Sequence, residues 1–364
     1  MPGKNIIIGI SGGVDSSVSA LLLKQQGYDV NAVFMKNWEG DDVDGHCPAE
    51  QDFSDAKVVC KTLDIDIHGV NFSDQYWDRV FNYFLEEYAA GRTPNPDVLC
   101  NKEIKFRAFL DYAIAQGAEK IATGHYVQNE LRDGEYHLLR GKDRDKDQSY
   151  FLYTLKQDQL EKSIFPVGGL SKGEVRKLAE LNNLITYNKK DSTGICFIGE
   201  QDFKSFLQRY LPAKPGDIVT VDDERIGRHD GLMYYTRGQR QGLGIGGLAK
   251  YGDDPWYVAD KDLKNNKLIV VQGHEHELLK GTWLKATNLE WVSSAAPQLP
   301  ISCTAKTRYR QKDSICHLSA DEDNSVLVEF EEPQWAITLG QSVVFYQADT
   351  CLGGGIIEAT QKLI

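Results

Sequence analysis

The sequence has no uninterrupted apolar run approaching the ~18 residues that a membrane-spanning helix requires. Positive charge is also in short supply. The 41 Lys and Arg stand against 53 Asp and Glu, a formal net charge of −12, which excludes a protein basic over its whole surface. A local basic patch is still permitted. The seven cysteines are odd in number and contain no C-x-x-C pair, which argues against a disulfide framework and a zinc ribbon, and no metal-ligand set stands out. Internal repeats and low-complexity tracts are missing too. The chain enters a strand-like run, Asn5–Ile10, almost at once. That leaves no room for a targeting peptide and sets the expectation of a cytoplasmic protein.

What is present suffices for several cores. At ~150 residues per domain, 364 residues that are 41% hydrophobic predict two or three domains. Strand patterns at Asn5–Ile10, Asp29–Met35, Asp66–Asn71 and Lys120–Thr123 alternate with helical patterns at Asp15–Gln26, Gln51–Leu63, Ser73–Ala90 and Lys102–Gln116. Such alternation predicts an α/β fold with a parallel sheet covered on both faces. Arg132-Asp-Gly-Glu135 marks a hairpin, and Ser171–Asn183 a further helix. After about residue 205 the chain becomes rich in Gly, Tyr and short strands. Beyond Gly281 only strand patterns remain, among them Ile301–Arg310, Ser325–Phe330 and Gln341–Tyr346. The expected organisation is an α/β domain over 1–204, a small β-rich central domain over 205–278 and a β-barrel over 279–364.

The sharpest local feature is Gly9-Ile10-Ser11-Gly12-Gly13-Val14-Asp15-Ser16-Ser17, set between the first strand and the first helix. Glycines let backbone N–H groups approach an anion, and the helix N-terminus behind them carries the favourable end of its dipole. Asp15 is placed to cap the helix or to hold Mg²⁺ between phosphates. This is not G-x-x-x-x-G-K-[ST], because the required Lys is absent, and the spacing is wrong for G-x-G-x-x-G. S-G-G-x-D-S resembles the PP-loop of the N-type ATP pyrophosphatases. Those enzymes cleave ATP between its α and β phosphates and adenylate a carbonyl oxygen. Met35 ends the second strand, where it is either core or placed against adenine at the carboxyl edge of the sheet.

Two cysteines stand in unusual company. In Thr93-Pro-Asn-Pro-Asp-Val-Leu-Cys100 two prolines stiffen a loop around Asn95 and Asp97, and Cys100 is expected just before a helix with Lys102 and Lys105 nearby. There the dipole and the cations would favour the thiolate. At pH 7 about 3% of an ordinary thiol is ionised, and a depression of one unit, ~1.4 kcal/mol, raises that to about a quarter. Cys196 lies in the polar, glycine-bearing turn Asp191–Glu200. Cys60 fits a helix core. Cys47, in the acidic stretch 37–56 with seven acids and no Lys or Arg, is a weaker extra candidate.

Together Gly9–Ser17, Thr93–Phe106, Ala122–Tyr126, Lys146–Phe151, Asp191–Glu200, Tyr234–Gly247 and Arg308–Gln311 resemble the tRNA-specific 2-thiouridylase (MnmA) family from the phosphate loop through to the barrel. The N-P-D-x-x-C and S-T-G-I-C-F segments are the specific ones. The resemblance implies an ATP-using sulfurtransferase that converts the wobble uridine of tRNAs, those for Glu, Gln and Lys, to 2-thiouridine. Cys196 would carry a persulfide and Cys100 would be its partner nucleophile, either releasing sulfide or ending in a Cys100–Cys196 disulfide. Asp97 would be the acid/base, with Asn95, Pro96 and Asp97 against the target base. Gly9 through Ser16, Met35 and Gly124 would surround ATP. His125, Lys146, Asp147, Gln148, Arg308, Tyr309 and Gln341 would meet tRNA. A persulfide-donating sulfur carrier or cysteine desulfurase is the implied partner.

The charge pattern leaves room for RNA. Lys306–Lys312 holds four cations, an aromatic and no acid, and alternation would place Lys306, Arg308, Arg310 and Lys312 on one strand face. Lys102, Lys105 and Arg107 form a second cluster, and Arg225, Arg228, Arg237 and Arg240 a third. Three other readings stay open on the residues alone. One is a different adenylating synthetase or amidotransferase acting on a small substrate, and another a non-catalytic tRNA-binding or sulfur-carrier protein. The third is a variant in which Cys100, Cys196 and another cysteine hold an iron–sulfur cluster.

Overall fold

The computed structural model describes residues 4–38, 48–191, 203–248 and 250–361. Strand β1 (Asn5–Gly9) runs parallel to β2 (Asp29–Lys36) on one side, and β2 to β3 (Asp66–Asn71). Helices α1 (Val14–Gln25) and α2 (Pro48–Leu63) make the crossovers. The chain then returns to the other side of β1 as β4 (Lys120–Ala122). A hairpin of β5 (Val127–Arg132) and β6 (Glu135–Arg140) follows, and β7 (Ser163–Ile164) completes the sheet order β3-β2-β1-β4-β7. Apolar residues line both faces of β1. Ile6 and Ile8 pack with Val14, Val18 and Leu21 of α1, while Ile7 joins Val33, Met35 and Phe109. The strand order reverses between β1 and β4, and in open α/β sheets that crevice is where ligands bind.

The helix expected over 102–116 begins earlier. Asn95 caps it through Oδ1, which accepts from the Val98 amide at 3.4 Å, and Pro96 occupies the first helical position, where its missing N–H costs nothing. Pro96–Cys100 then runs straight into a π-helical stretch, Asn101–Ala108, and the α-helical turn Phe109–Ala115. A similar stretch, Trp77–Phe81, interrupts the helix over 73–89.

The central strands β8 (Gly216–Val219), β9 (Arg225–His229), β10 (Trp256–Asp262) and β11 (Lys267–Gln272) form a sheet in the order β10-β11-β8-β9. The last strands are β12 (Lys280–Trp291), β13 (Ile301–Lys306), β14 (Ser314–Ala320), β15 (Val326–Trp335), β16 (Ser342–Gln347) and β17 (Thr350–Thr360). They pair antiparallel in the order β12-β15-β14-β13-β16-β17, and β17 pairs again with β12, closing a barrel. The hairpin expected at Arg132–Glu135 is present, with Asp133 and Gly134 at φ 51° and 84° as a type I′ turn requires. Its sheet partner is unexpected. Leu138 and Leu139 of β6 pair with Cys351 and Thr350 of β17, so the hairpin extends the barrel sheet rather than the parallel one. Among the described residues no helix is long and apolar enough to cross a membrane.

Candidate active site

The phosphate loop leaves β1 at its carboxyl end and enters α1 at Gly13, which has no side-chain cap. Its shape is fixed from within. Ser16 Oγ accepts the Ser11 amide at 3.2 Å and donates to Gly13 O at 3.1 Å, while Ser17 Oγ donates to the same carbonyl at 2.8 Å. Gly12 has φ +74°, and an added Cβ would lie 2.3 Å from Asp52 O. Gly124, after β4, comes so close to the start of α1 that a Cβ would stand 2.7 Å from Ser16 N. Ile10, Val14 and Met35 are buried beneath the loop, and Ser11 is exposed at its tip. The residues expected to surround ATP, Gly9 through Ser16, Met35 and Gly124, therefore share one edge of the sheet. The arrangement suits an anion, which would meet first-turn amides and the positive end of the helix.

The cation missing from the loop comes from elsewhere. Lys172 opens the helix Lys172–Leu181, after Ser171, whose Oγ accepts the Glu174 amide in a capping box. Its Nζ lies 2.8 Å from both carboxylate oxygens of Asp15 and 2.6 Å from Asp191 Oδ1. Tyr126 donates its hydroxyl to Asp15 at 2.7 Å. Burial and the Asp15 charge push that phenol far above its ordinary range, so it stays protonated. Asp191 also accepts from Lys146 at 2.7 Å and faces Arg176 at 3.5 Å. Burial alone would raise its carboxyl, yet the Lys146 and Lys172 bonds hold it below the usual carboxylate range. Lys172 was not among the expected residues. Its own signal was only a lysine at the first turn of a capped helix, and nothing local ties it to a loop 157 residues away.

The cysteine-bearing helix packs against this edge. An added Cβ on Gly9 would lie 3.3 Å from the Phe109 ring, and Phe106 stacks obliquely 5.7 Å from His125, next to Gly124. Cys100 is fully buried and is the last residue of Pro96–Cys100, not a residue preceding a helix. The first-turn amides lie behind it, so the dipole argument for its thiolate loses force. Asn95, Pro96 and Asp97 occupy the first turn and are half-buried. Cys196 and Cys47 lie outside the described residues. The other cysteines are core residues. Burial pushes Cys60 up to about 11 and Cys351 up to about 12, and Cys303 faces Cys316 across β13 and β14 with Sγ atoms 3.7 Å apart. No group of three or more His, Cys, Asp or Glu side chains is placed to hold a metal among the described residues.

The residues expected to meet tRNA divide sharply. His125 is buried and shares a 2.8 Å hydrogen bond with Thr123 Oγ1. Burial, reinforced by Lys105, lowers its pKa well below the usual value and keeps the ring neutral. Asp147 is buried too and accepts from the amides of Gly141 and Ser149, both at 3.1 Å. Gln148 Oε1 accepts the Tyr126 amide at 2.9 Å. The strand face expected over 306–312 does not form. β13 stops at Lys306, and the chain turns because Gln311 Oε1 takes both the amide and the hydroxyl of Thr307. Arg308 is consequently turned inward, donating to Arg237 O, Ala336 O and Thr338 Oγ1 at 2.8–2.9 Å. Tyr309 stacks 4.4 Å from Phe151. Arg310 and Lys312 are exposed. The other clusters also fragment: Lys102 pairs with Glu290 at 2.6 Å, Arg225 with Asp217 at 2.9 Å, and Arg237 is turned towards backbone carbonyls. Gln341 donates to Thr93 O and Pro94 O at 2.8 and 3.1 Å.

A family model described as a tRNA methyl transferase HUP domain matches residues 4–200. A tRNA methyl transferase PRC-barrel domain matches 204–272, and an aminomethyltransferase beta-barrel domain matches 282–357. Over 354 residues the chain is 61% identical to a tRNA-specific 2-thiouridylase MnmA of Marinomonas sp., covering 97% of this chain and 91% of that one. A protein of the same name from Francisella tularensis is 60% identical over 358 residues, covering 98% of this chain and 100% of the relative.

Proposed function

The chain belongs to the tRNA-specific 2-thiouridylase family, and on that premise we propose that it converts the wobble uridine of tRNA to 2-thiouridine at the expense of ATP. The observation that carries this reading is the packing of the cysteine-bearing helix against the sheet edge that holds the phosphate loop. The phosphate loop, with Lys172 paired to its Asp15, shares this edge with the helix that bears Asn95, Asp97 and Cys100, which packs there through Gly9–Phe109 and His125–Phe106.

ATP lays its β and γ phosphates on the amides of Ser11 through Asp15, and Lys172 exchanges part of its pairing with Asp15 for phosphate oxygens. Asp15, in the first turn of the helix behind the loop, is the residue that would hold a Mg²⁺ accompanying the nucleotide, and such an ion would supply charge neutralisation to the departing pyrophosphate. The uridine C2 oxygen attacks the α phosphorus and pyrophosphate leaves. Negative charge develops on the bridging oxygen, and fixed N–H groups and an ammonium stabilise it without reorganising. The terminal sulfur of a persulfide on Cys196 then attacks C2 and AMP departs. Cys100 attacks the remaining Cys196 sulfur, breaking the S–S bond to the base. The products are 2-thiouridine and a Cys100–Cys196 disulfide, which two external thiols reduce. Asp97 handles the proton beside the base. The tRNAs are those for Glu, Gln and Lys, and a sulfur carrier or cysteine desulfurase supplies the persulfide.

Cys100→Ser and Cys196→Ser are each expected to abolish 2-thiouridine in tRNA, read by nucleoside mass spectrometry, with circular dichroism unchanged. Retention of full activity in either variant sinks the scheme.

A further inference from the structure

The segment 336–341, between β15 and β16, spends its polar groups on distant parts of the chain. On one side Ala336 O and Thr338 Oγ1 accept from Arg308, and Ile337 O accepts from Arg237 at 3.3 Å. On the other side Leu339 O accepts the Thr93 amide at 2.9 Å. Gln341 Nε2 donates to Thr93 O and Pro94 O, so both N–H bonds of that amide have a carbonyl to meet. Between them Gly340, at φ +86°, lies so near that an added Cβ would stand 3.0 Å from Thr93 N and from Arg92 Cβ. The central domain contributes as well: Thr236 and Thr93 hydroxyls are 3.2 Å apart, and Lys261 Nζ donates to Gly91 O at 3.0 Å.

Thr93 and Pro94 lead directly into the capped first turn that carries Asn95 and Asp97. A turn stiffened by two prolines transmits the placement of its first carbonyls to the residues that follow. We propose that Gln341 is a positioning residue: it holds the Thr93–Pro94 backbone so that Asn95 and Asp97 face the uridine, and through segment 336–341 it ties that turn to Arg308. In the structure both of its donor hydrogens are spent on the loop. The assignment rests on the thiolation reading, since it says which residues that reaction needs in register.

The test uses the full-length protein with Gln341→Ala and Gln341→Met, the second of which keeps the length of the side chain without its donors. With tRNA and ATP saturating, single-turnover thiolation is expected to fall about 10- to 100-fold in both variants, the scale of a small misplacement of reacting groups. The Kd for tRNA by filter binding should stay within about 2-fold. A weakened Kd with an unchanged rate, or no change in either, overturns the proposal. Hydrogen exchange gives a readout independent of the reaction. In the free protein the peptide spanning residues 91–101 should exchange faster in both variants, and wild-type protection there overturns the positioning role. Should wild-type protein form no 2-thiouridine while the variants still loosen that peptide, the thiolation reading falls and the positioning of the loop stands.

Discussion

The phosphate loop and the loop that leads into the cysteine-bearing helix are built on opposite principles. The phosphate loop is held by its own neighbours: Ser11, Gly13, Ser16 and Ser17 satisfy one another within one helical turn. The loop over 91–95 is held by Thr236 and Lys261 of the central domain and by Leu339 and Gln341 of the barrel's β15–β16 connection. An anion cradle of the first kind is preformed wherever β1 and α1 meet. A turn of the second kind takes its shape only when the central domain and the barrel segment are docked on it, so the entry to the cysteine-bearing helix answers to both.

Lys172 could break this contrast, because it reaches the phosphate loop from 157 residues away. Lys172→Met is expected to lower adenylation, followed as AMP release with tRNA present, by about 10²–10³-fold, or roughly 3–4 kcal/mol of transition-state stabilisation. Tm should hold, because Asp15 keeps Tyr126 and Asp191 keeps Lys146 and Arg176. An effect below 10-fold would mean that the local cradle suffices alone.

Lys261 sharpens the other half of the contrast. Burial pulls its ammonium down to about 8, with the Asp260 charge opposing that shift. In the unfolded chain the group titrates near ~10.4. Between those values the unfolded state binds more protons, so folding stability rises with pH from about 8 to about 10.4. Below that window the buried charge costs roughly 3 kcal/mol, part of which the bond to Gly91 O offsets. Urea denaturation of Lys261→Met should lack the rise between pH 8 and 10 that wild-type protein shows. A wild-type curve flat across that window contradicts the assignment.

The smallest effect concerns the exposed cations. Arg310→Ala with Lys312→Ala should weaken tRNA binding a few-fold and lower the slope of log K against log salt by about 1.5, as two lost phosphate contacts imply. An unchanged slope would place the RNA elsewhere.

How far the sequence carried follows from the same contrast. The β1–loop–α1 unit was legible because its glycines, serines and apolar positions all act within a few residues. The start of the cysteine helix was legible in principle, since Asn95 before Pro96 is an N-cap followed by a proline at the first position. The two prolines equally suit a stiff loop, and on that expectation Cys100 falls outside the helix. Lys306–Lys312 misled for a different reason. Its alternating cations fit a strand, but the Gln311 side chain captures Thr307 and turns the chain, sending Arg308 inward. Lys172 and the Gln341 bonds were beyond reach, because pattern locates elements and does not say which distant elements meet.

The hairpin β5–β6 carries a consequence for how the protein is made. It is synthesised early, yet its barrel partner β17 lies roughly 200 residues downstream, which at ~5–20 residues per second leaves it waiting some tens of seconds at a ribosome. Until β17 arrives, β6 presents an unpaired edge of the kind that recruits other chains. Arg140, at the end of β6, then closes over the Tyr346 ring and pairs with Asp313, so the last strands of the barrel latch the first domain as well as finishing their own. Premature termination anywhere before Thr350 would therefore leave a sticky edge in the amino-terminal half, and such fragments should partition to aggregates or to chaperones rather than persist as free nucleotide-binding domains.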